Sequence, residues 1–142
     1  TRSSSKIARI SSIEIFSNNK KPLIIRPNDK IRIEVKIKIM KKIDSPIVGL
    51  TIKREEDGLV VFAENTSLRQ IDLGVLEGGS SKKVIFEMDN IFSNGKYNLT
   101  PAIADKRTEA FIDRLEDEEA FIVNGWENNY TPVQIRSKLR VL

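Results

Sequence analysis

The chain has 142 residues with 24 basic and 20 acidic side chains, a formal charge of +4, and neither cysteine nor histidine. That composition excludes disulfides, thiolate chemistry, zinc–thiolate centres and a Ser-His-Asp triad, and it removes both the usual base near neutral pH and the commonest metal ligand. The length fits one domain with its own core, the interleaved signs read as a mixed, solvated surface rather than a nucleic-acid footprint, and no apolar run approaches the roughly 20 residues that span a bilayer.

From the N-terminus, "TRSSSK" carries no initiator methionine and no secretory pattern, and is read as the start of a segment from a longer protein. Lys6 to Phe16, "KIARISSIEIF", is rich in isoleucine, roughly alternating, and followed by the turn cluster "SNNKKP". Ile31 to Ile39, "IRIEVKIKI", alternates strictly: Ile31, Ile33, Val35, Ile37 and Ile39 on one face, Arg32, Glu34, Lys36 and Lys38 on the other. A helix would scatter both sets around its axis, so this segment is a strand with one dry face. Ile47 to Arg54 and Leu59 to Ala63 form the arms of a hairpin about "EEDG", in which Asp57-Gly58 is a favoured turn pair.

Lys82 to Met88 follows the turn "EGGSS", and Tyr97 to Ala104 follows "SNG". Ala110 to Leu115 and Ala120 to Val123 are shorter apolar runs, read as strand, tight turn, strand despite some helical character in "DKRTEAFIDRLEDEEAF". Val133 to Val141 alternates again. Eight or nine strands with turns at short intervals predict an all-β antiparallel sandwich.

Chemistry is sparse. The GxxxxGK[ST], GxGxxG and GxSxG patterns are all missing. The carboxylates Glu55-Glu56-Asp57 and Glu116 to Glu119 fall in expected turns, where solvated loops are commoner than catalytic pairs, and neither has EF-hand spacing. No catalytic residue, metal or cofactor is therefore assigned. The Asn-x-Ser/Thr sequences at Asn65, Asn98 and Asn129 are read as coincidence. Phe16, Phe62, Phe86, Tyr97, Phe111 and Phe121 sit in strand patterns, where core packing accounts for most of them. Trp126 and Tyr130, in the loop-like "NGWENNYTP", either plug the open end of the sandwich or offer an aromatic platform to a sugar or a partner.

The hairpin "PIVGLTIKREEDGLVVFAENT" resembles the C-terminal domain of Wzt-type ATP-binding subunits of polysaccharide ABC transporters. Pro46, Gly49, Leu50, Ile52, Asp57, Gly58, Val61, Phe62, Asn65 and Thr66 match that family's pattern. "IARISSIEIF" with "RPNDKIRIEVKIKI" is similar to its first two strands, with Pro27-Asn28-Asp29 in place of the usual Gly-Glu. "SNGKYNLTPAIAD" is similar to its Pro-Gly-x-Tyr strand, with Asn94 where proline is common, and "DRLEDEEAFIVNG" to its closing segment. The resemblance runs from about Ile7 to Gly125.

The resemblance implies an immunoglobulin-like sandwich, taken over residues 1–125. Beyond it, the loop and alternating strand of 126–142 need an edge to pair with, either in the same sandwich or in a second protomer, and the family's exchange of a C-terminal strand favours the second, a homodimer. It implies binding of the exported O-antigen or related cell-surface glycan at its non-reducing end, on the cytoplasmic face of the bacterial inner membrane. An ATP-binding cassette in the same subunit and a transmembrane permease are the implied partners. A glycan site needs a shallow groove with planar hydrogen-bonding groups. Outward strand residues Thr51, Lys53, Asn98 and Thr100, the arginines Arg54, Arg107 and Arg114, and the aromatics Trp126 and Tyr130 are the candidates. Arginine's fork would suit an acidic or phosphorylated cap. Asn65-Thr66 is expected to fix the exit of its strand rather than to touch sugar. The alternatives are a sandwich that only docks to a glycosyltransferase or other envelope protein, and an adhesin-like domain.

Overall fold

The computed structural model describes the backbone of residues 2–4 and the whole of residues 6–142. Among the described residues there are nine strands and no helix. They are β1 (Arg2–Ser4), β2 (Ala8–Ser17), β3 (Lys30–Ile39), β4 (Pro46–Arg54), β5 (Val60–Asn65), β6 (Ser81–Asp89), β7 (Gly95–Asp105), β8 (Phe111–Leu115) and β9 (Glu119–Val123). The larger sheet has the order β1-β8-β7-β4-β5, with β9 also on β7, and the smaller one runs β2-β3-β6. All strand pairings are antiparallel, as expected of the sandwich.

β3 follows its alternation, with all five odd-numbered apolar residues buried. They face Val48, Leu50 and Ile52 of β4 and Leu99 and Ile103 of β7 in one core. On the wet face of β3, Glu34 sits between Arg32 Nε at 2.8 Å and Lys83 Nζ at 3.1 Å. Its carboxyl is held below the usual range, chiefly by the hydrogen bond from Lys83.

Specific polar groups pin the layers together. Asp113 of β8 is buried, and its Oδ2 accepts the Ile10 N–H of β2 at 2.7 Å, tying one sheet to the other. At the start of β7 the Tyr97 hydroxyl donates to the Ser93 carbonyl at 2.7 Å. This is the corner geometry of immunoglobulin-like sandwiches, a tyrosine bonding back to backbone a few residues upstream. Its ring lies 5.3 Å from Phe92 and 5.4 Å from Phe121. Gly78 allows the β5–β6 connection to pass close to β3, since a Cβ there would lie 2.7 Å from the Met40 carbonyl oxygen.

The β4–β5 hairpin turns at Gly58, whose φ of 72° suits glycine. The Arg54 guanidinium grips Asp57 at 3.1 and 2.5 Å. That bond, aided by the Leu59 N–H, lowers the Asp57 carboxyl to about 2. At the far end of β5, Asn65 Oδ1 accepts the Leu68 N–H at 2.8 Å, and Thr66 Oγ1 accepts the Val48 N–H at 3.1 Å. The Asn-Thr pair thus closes the strand: asparagine starts the turn, and threonine continues the ladder through its hydroxyl.

One expected strand does not form. Val133 makes an isolated bridge with Phe92, and residues 134–142 belong to no strand. Ile135, Leu139 and Val141 are exposed. Alternation there records amphipathic character, but none of the described edges of the same chain takes the segment up.

Candidate functional site

The outer face of the larger sheet carries the groove. Its floor is set by register. Gly49 lies between Asn65 and Ala102, Thr51 between Ala63 and Thr100, and Ile47 beside Ala104. β8 adds Arg114 opposite Ala102 and Phe111 opposite Ala104. Because so many floor residues are small, the face is recessed rather than flat. Gly49 is part of the cause: a Cβ there would stand 3.1 Å from that of Asn65 and 3.3 Å from the Glu64 carbonyl. The result is an open groove of about 490 Å³, within the usual range for ligand sites. Leu68 rises on one side, 69% exposed, and Phe111 on the other, 58% exposed.

Phe111 faces out because of a bulge. The register shifts between Ile103 and Ala104, so Ile112 and Asp113 both turn inward. Phe111 is thereby directed to the solvent side, the re-aiming that bulges produce. The Arg114 guanidinium lies 5.6 Å over its ring, within cation–π range.

β8 and β9 lie end to end along one edge of β7, and the turn between them covers the outer face at Thr100. Thr100 Oγ1 accepts the Asp117 N–H at 2.9 Å. The same turn brings Glu116 between two cations, 3.5 Å from Lys53 Nζ and 3.5 Å from Arg114 Nη1. Lys53 Nζ is also 3.5 Å from Asp117. Charged planar groups, hydroxyls and one exposed ring thus border a floor of small side chains. No group of histidine, cysteine or carboxylate side chains able to hold a metal occurs among the described residues.

A family model described as the Wzt C-terminal domain matches residues 1–134. The chain belongs to the Wzt C-terminal domain family. These are domains of polysaccharide ABC transporter subunits. A crystal structure of the C-terminal domain of Wzt superposes with a TM-score of 0.90 at 19% identity, covering 100% of this chain and 88% of that one. A β-glucuronidase of Bacteroides uniformis aligns with a TM-score of 0.55 at 13% identity, over 76% of this chain and 14% of that one. A β-D-mannosidase of Dictyoglomus thermophilum aligns with a TM-score of 0.54 at 18% identity, over 82% of this chain and 13% of that one. At such identities these structures share the fold. No curated protein matches the chain significantly.

Of the sequence-derived candidates, this Wzt domain brings Thr51, Lys53, Asn98, Thr100 and Arg114 onto one face, with Thr51 opposite Thr100 and Lys53 opposite Asn98. Thr100 is buried, with its hydroxyl engaged by the Asp117 amide. The others lie apart. Arg54 is committed to Asp57 in the hairpin turn. Arg107 reaches Asp44 at 3.2 Å, joining the β7–β8 turn to the β3–β4 connection. Trp126 caps the opposite end of β7: its indole N–H donates to the Phe92 carbonyl at 2.8 Å, and its backbone exchanges hydrogen bonds with Asn94. Tyr130 is 91% exposed in the loop beyond it.

Sequence reasoning missed Gly49, Ala102, Ala104, Leu68 and Phe111 as groove residues, and Glu116 as the carboxylate paired with Arg114 beside them. One signal was present for Phe111. Ile112 and Leu115 are an odd number of residues apart, so an unbulged strand cannot bury both. Asn65 both starts the turn and lines the groove.

Proposed function

We propose that this Wzt domain is a non-catalytic glycan-binding module that holds the exported lipid-linked polysaccharide, at its non-reducing end, in the groove over β4, β7 and β8. The carrying observation is the recessed strip Gly49–Thr51–Ala102–Ala104 with Phe111 and Arg114 on its border. Sugar rings need a shallow floor, one apolar surface and several planar hydrogen-bonding groups, and this face supplies all three. Binding there couples the cargo to an ATP-binding cassette in the same subunit and to a permease, at the cytoplasmic face of the inner membrane. No helix among the described residues is long and apolar enough to cross a membrane.

The test is titration with the source strain's own polysaccharide, intact and with its terminal residue removed. Tight binding of the intact chain alone supports end recognition. Equal binding of both overturns end recognition but keeps the glycan site. Binding of neither favours the docking module, a reading supported by the loop Pro22–Ile24, where Leu23 is 94% exposed beside Ile24 and Ile122.

The same proposal includes a homodimer. The tail 135–142 offers an amphipathic segment outside both sheets, in which Leu139 is 94% exposed, and a sheet edge of a second copy would satisfy it. Light scattering on the eluting chain tests this. A strict monomer at high concentration, with the tail intact, sinks the exchange.

A further inference from the structure

The charges around the groove narrow its ligand. Each cation paired at or beside the groove faces at least one carboxylate, and Glu116 serves two of them. Lys53 faces Glu116 and Asp117, Arg114 faces Glu116, and on the β5 side Arg69 Nη1 lies 3.2 Å from Glu64. Asp105 and Glu109 line the groove along with Lys106, and Asp105 also lies 3.8 Å from Arg107 Nε. An acidic sugar or phosphate would therefore meet carboxylates beside every guanidinium, with no excess positive charge to offset its desolvation. An uncharged sugar meets no such penalty. Its C–H face has Phe111 and Leu68 to cover, and its hydroxyls, which both donate and accept, match a border holding donors and acceptors together.

Arg114 is also held in a fixed attitude by the Phe111 ring on one side and Glu116 on the other. A guanidinium so placed presents paired N–H groups to adjacent hydroxyls at little ordering cost. Resting on the glycan-binding reading above, we infer that the groove selects an uncharged sugar ring stacked on Phe111, with Arg114 and Glu116 reading neighbouring hydroxyls, and discriminates against glycans bearing carboxylate or phosphate at that position. This departs from the phosphate-fork role that arginine suggests from sequence alone.

The experiment is a heteronuclear NMR titration of the isotope-labelled 142-residue chain. The neutral probes are the methyl glycosides of glucose, galactose, mannose, rhamnose and N-acetylglucosamine. The acidic probes are glucuronate, galacturonate and mannose 6-phosphate. At least one neutral glycoside is expected to shift the amides of Thr51, Ala102, Phe111 and Arg114, with an affinity that changes less than about twofold between low and high salt. Phe111→Ala should weaken it by about tenfold or more while Phe111→Trp retains it. Arg114→Lys, which keeps the charge and loses the fork, should also weaken it. The spectrum of each variant reports whether it is folded.

Acidic probes that shift the same amides more tightly, with affinity falling as salt rises, overturn the neutral-sugar inference and leave the glycan groove standing. Neutral probes whose shifts cluster elsewhere, or no shift from any neutral probe, overturn the inference and count against the groove itself.

Discussion

Removing one oxygen from Tyr97 tests the account of the fold most sharply. Tyr97→Phe keeps the ring, and with it the contacts at 5.3 Å to Phe92 and 5.4 Å to Phe121. It deletes the hydroxyl that donates to the Ser93 carbonyl at 2.7 Å. Ser93 is itself buried, so water does not replace the lost donor. Taking the donor away from a buried acceptor that water cannot reach costs about 1–3 kcal/mol, which places the loss at about 2 kcal/mol. Burial holds the phenol's pKa above its usual value, so it remains a donor throughout the neutral range. In urea, with a slope of about 2 kcal/mol per molar, the midpoint should fall by about 1 M at unchanged slope. Far-ultraviolet dichroism and Trp126 fluorescence should move together, because the indole is tied to the same corner through Phe92. A midpoint within about 0.2 M of the parent would refute the claim that this bond holds the corner.

Three further outcomes are expected. Thr66→Val, equal in shape but without the acceptor for Val48 N–H, should cost about 1–2 kcal/mol and accelerate hydrogen exchange at Val48, while Thr66→Ser restores protection. Asp113→Ala leaves the Ile10 N–H without its 2.7 Å carboxylate and should destabilise by about 2–4 kcal/mol in urea melts; Asp113→Asn, which keeps an acceptor, should lose less than half of that. The carboxyls of Asp57, lowered from 3.8 to about 2, and Glu34, also lowered, contribute stability that is complete above their unfolded values and is lost as pH falls through the folded ones. The melting temperature should therefore hold down to about pH 5 and fall between about pH 4 and pH 2, and Asp57→Asn should flatten part of that fall.

Legibility in the sequence tracked how each strand meets water. β3 is the middle strand of the smaller sheet, dry on one side and charged on the other, so its alternation was unambiguous. β4 reads as a nearly continuous apolar run, because its outward positions Ile47 and Gly49 belong to a recessed floor rather than to a charged face. Thr51, Lys53, Asn98 and Arg114 could be assigned to an outer surface from polarity alone. Phe111 could not, because its direction depends on a bulge one residue away. Trp126 and Tyr130 shared one loop and one description, yet the indole found a carbonyl to bond and the phenol did not leave the solvent. The tail from Val133 has a strand's pattern without a strand's partner, and a pattern carries no information about partners.

The position of β6 at the margin of the smaller sheet bears on how the protein behaves when concentrated. Val84-Ile85-Phe86 is a short stretch of high β-propensity, with Ile85 exposed, of the type that seeds fibrils when an edge is open. Lys82 and Lys83 precede it, and Glu87 and Asp89 follow. These flanking charges act as gatekeepers against stacking of one molecule's edge on the next. Neutralising both lysines would strip that protection from the edge, and would also take from Glu34 its Lys83 partner at 3.1 Å, so faster aggregation at high concentration is the expected outcome.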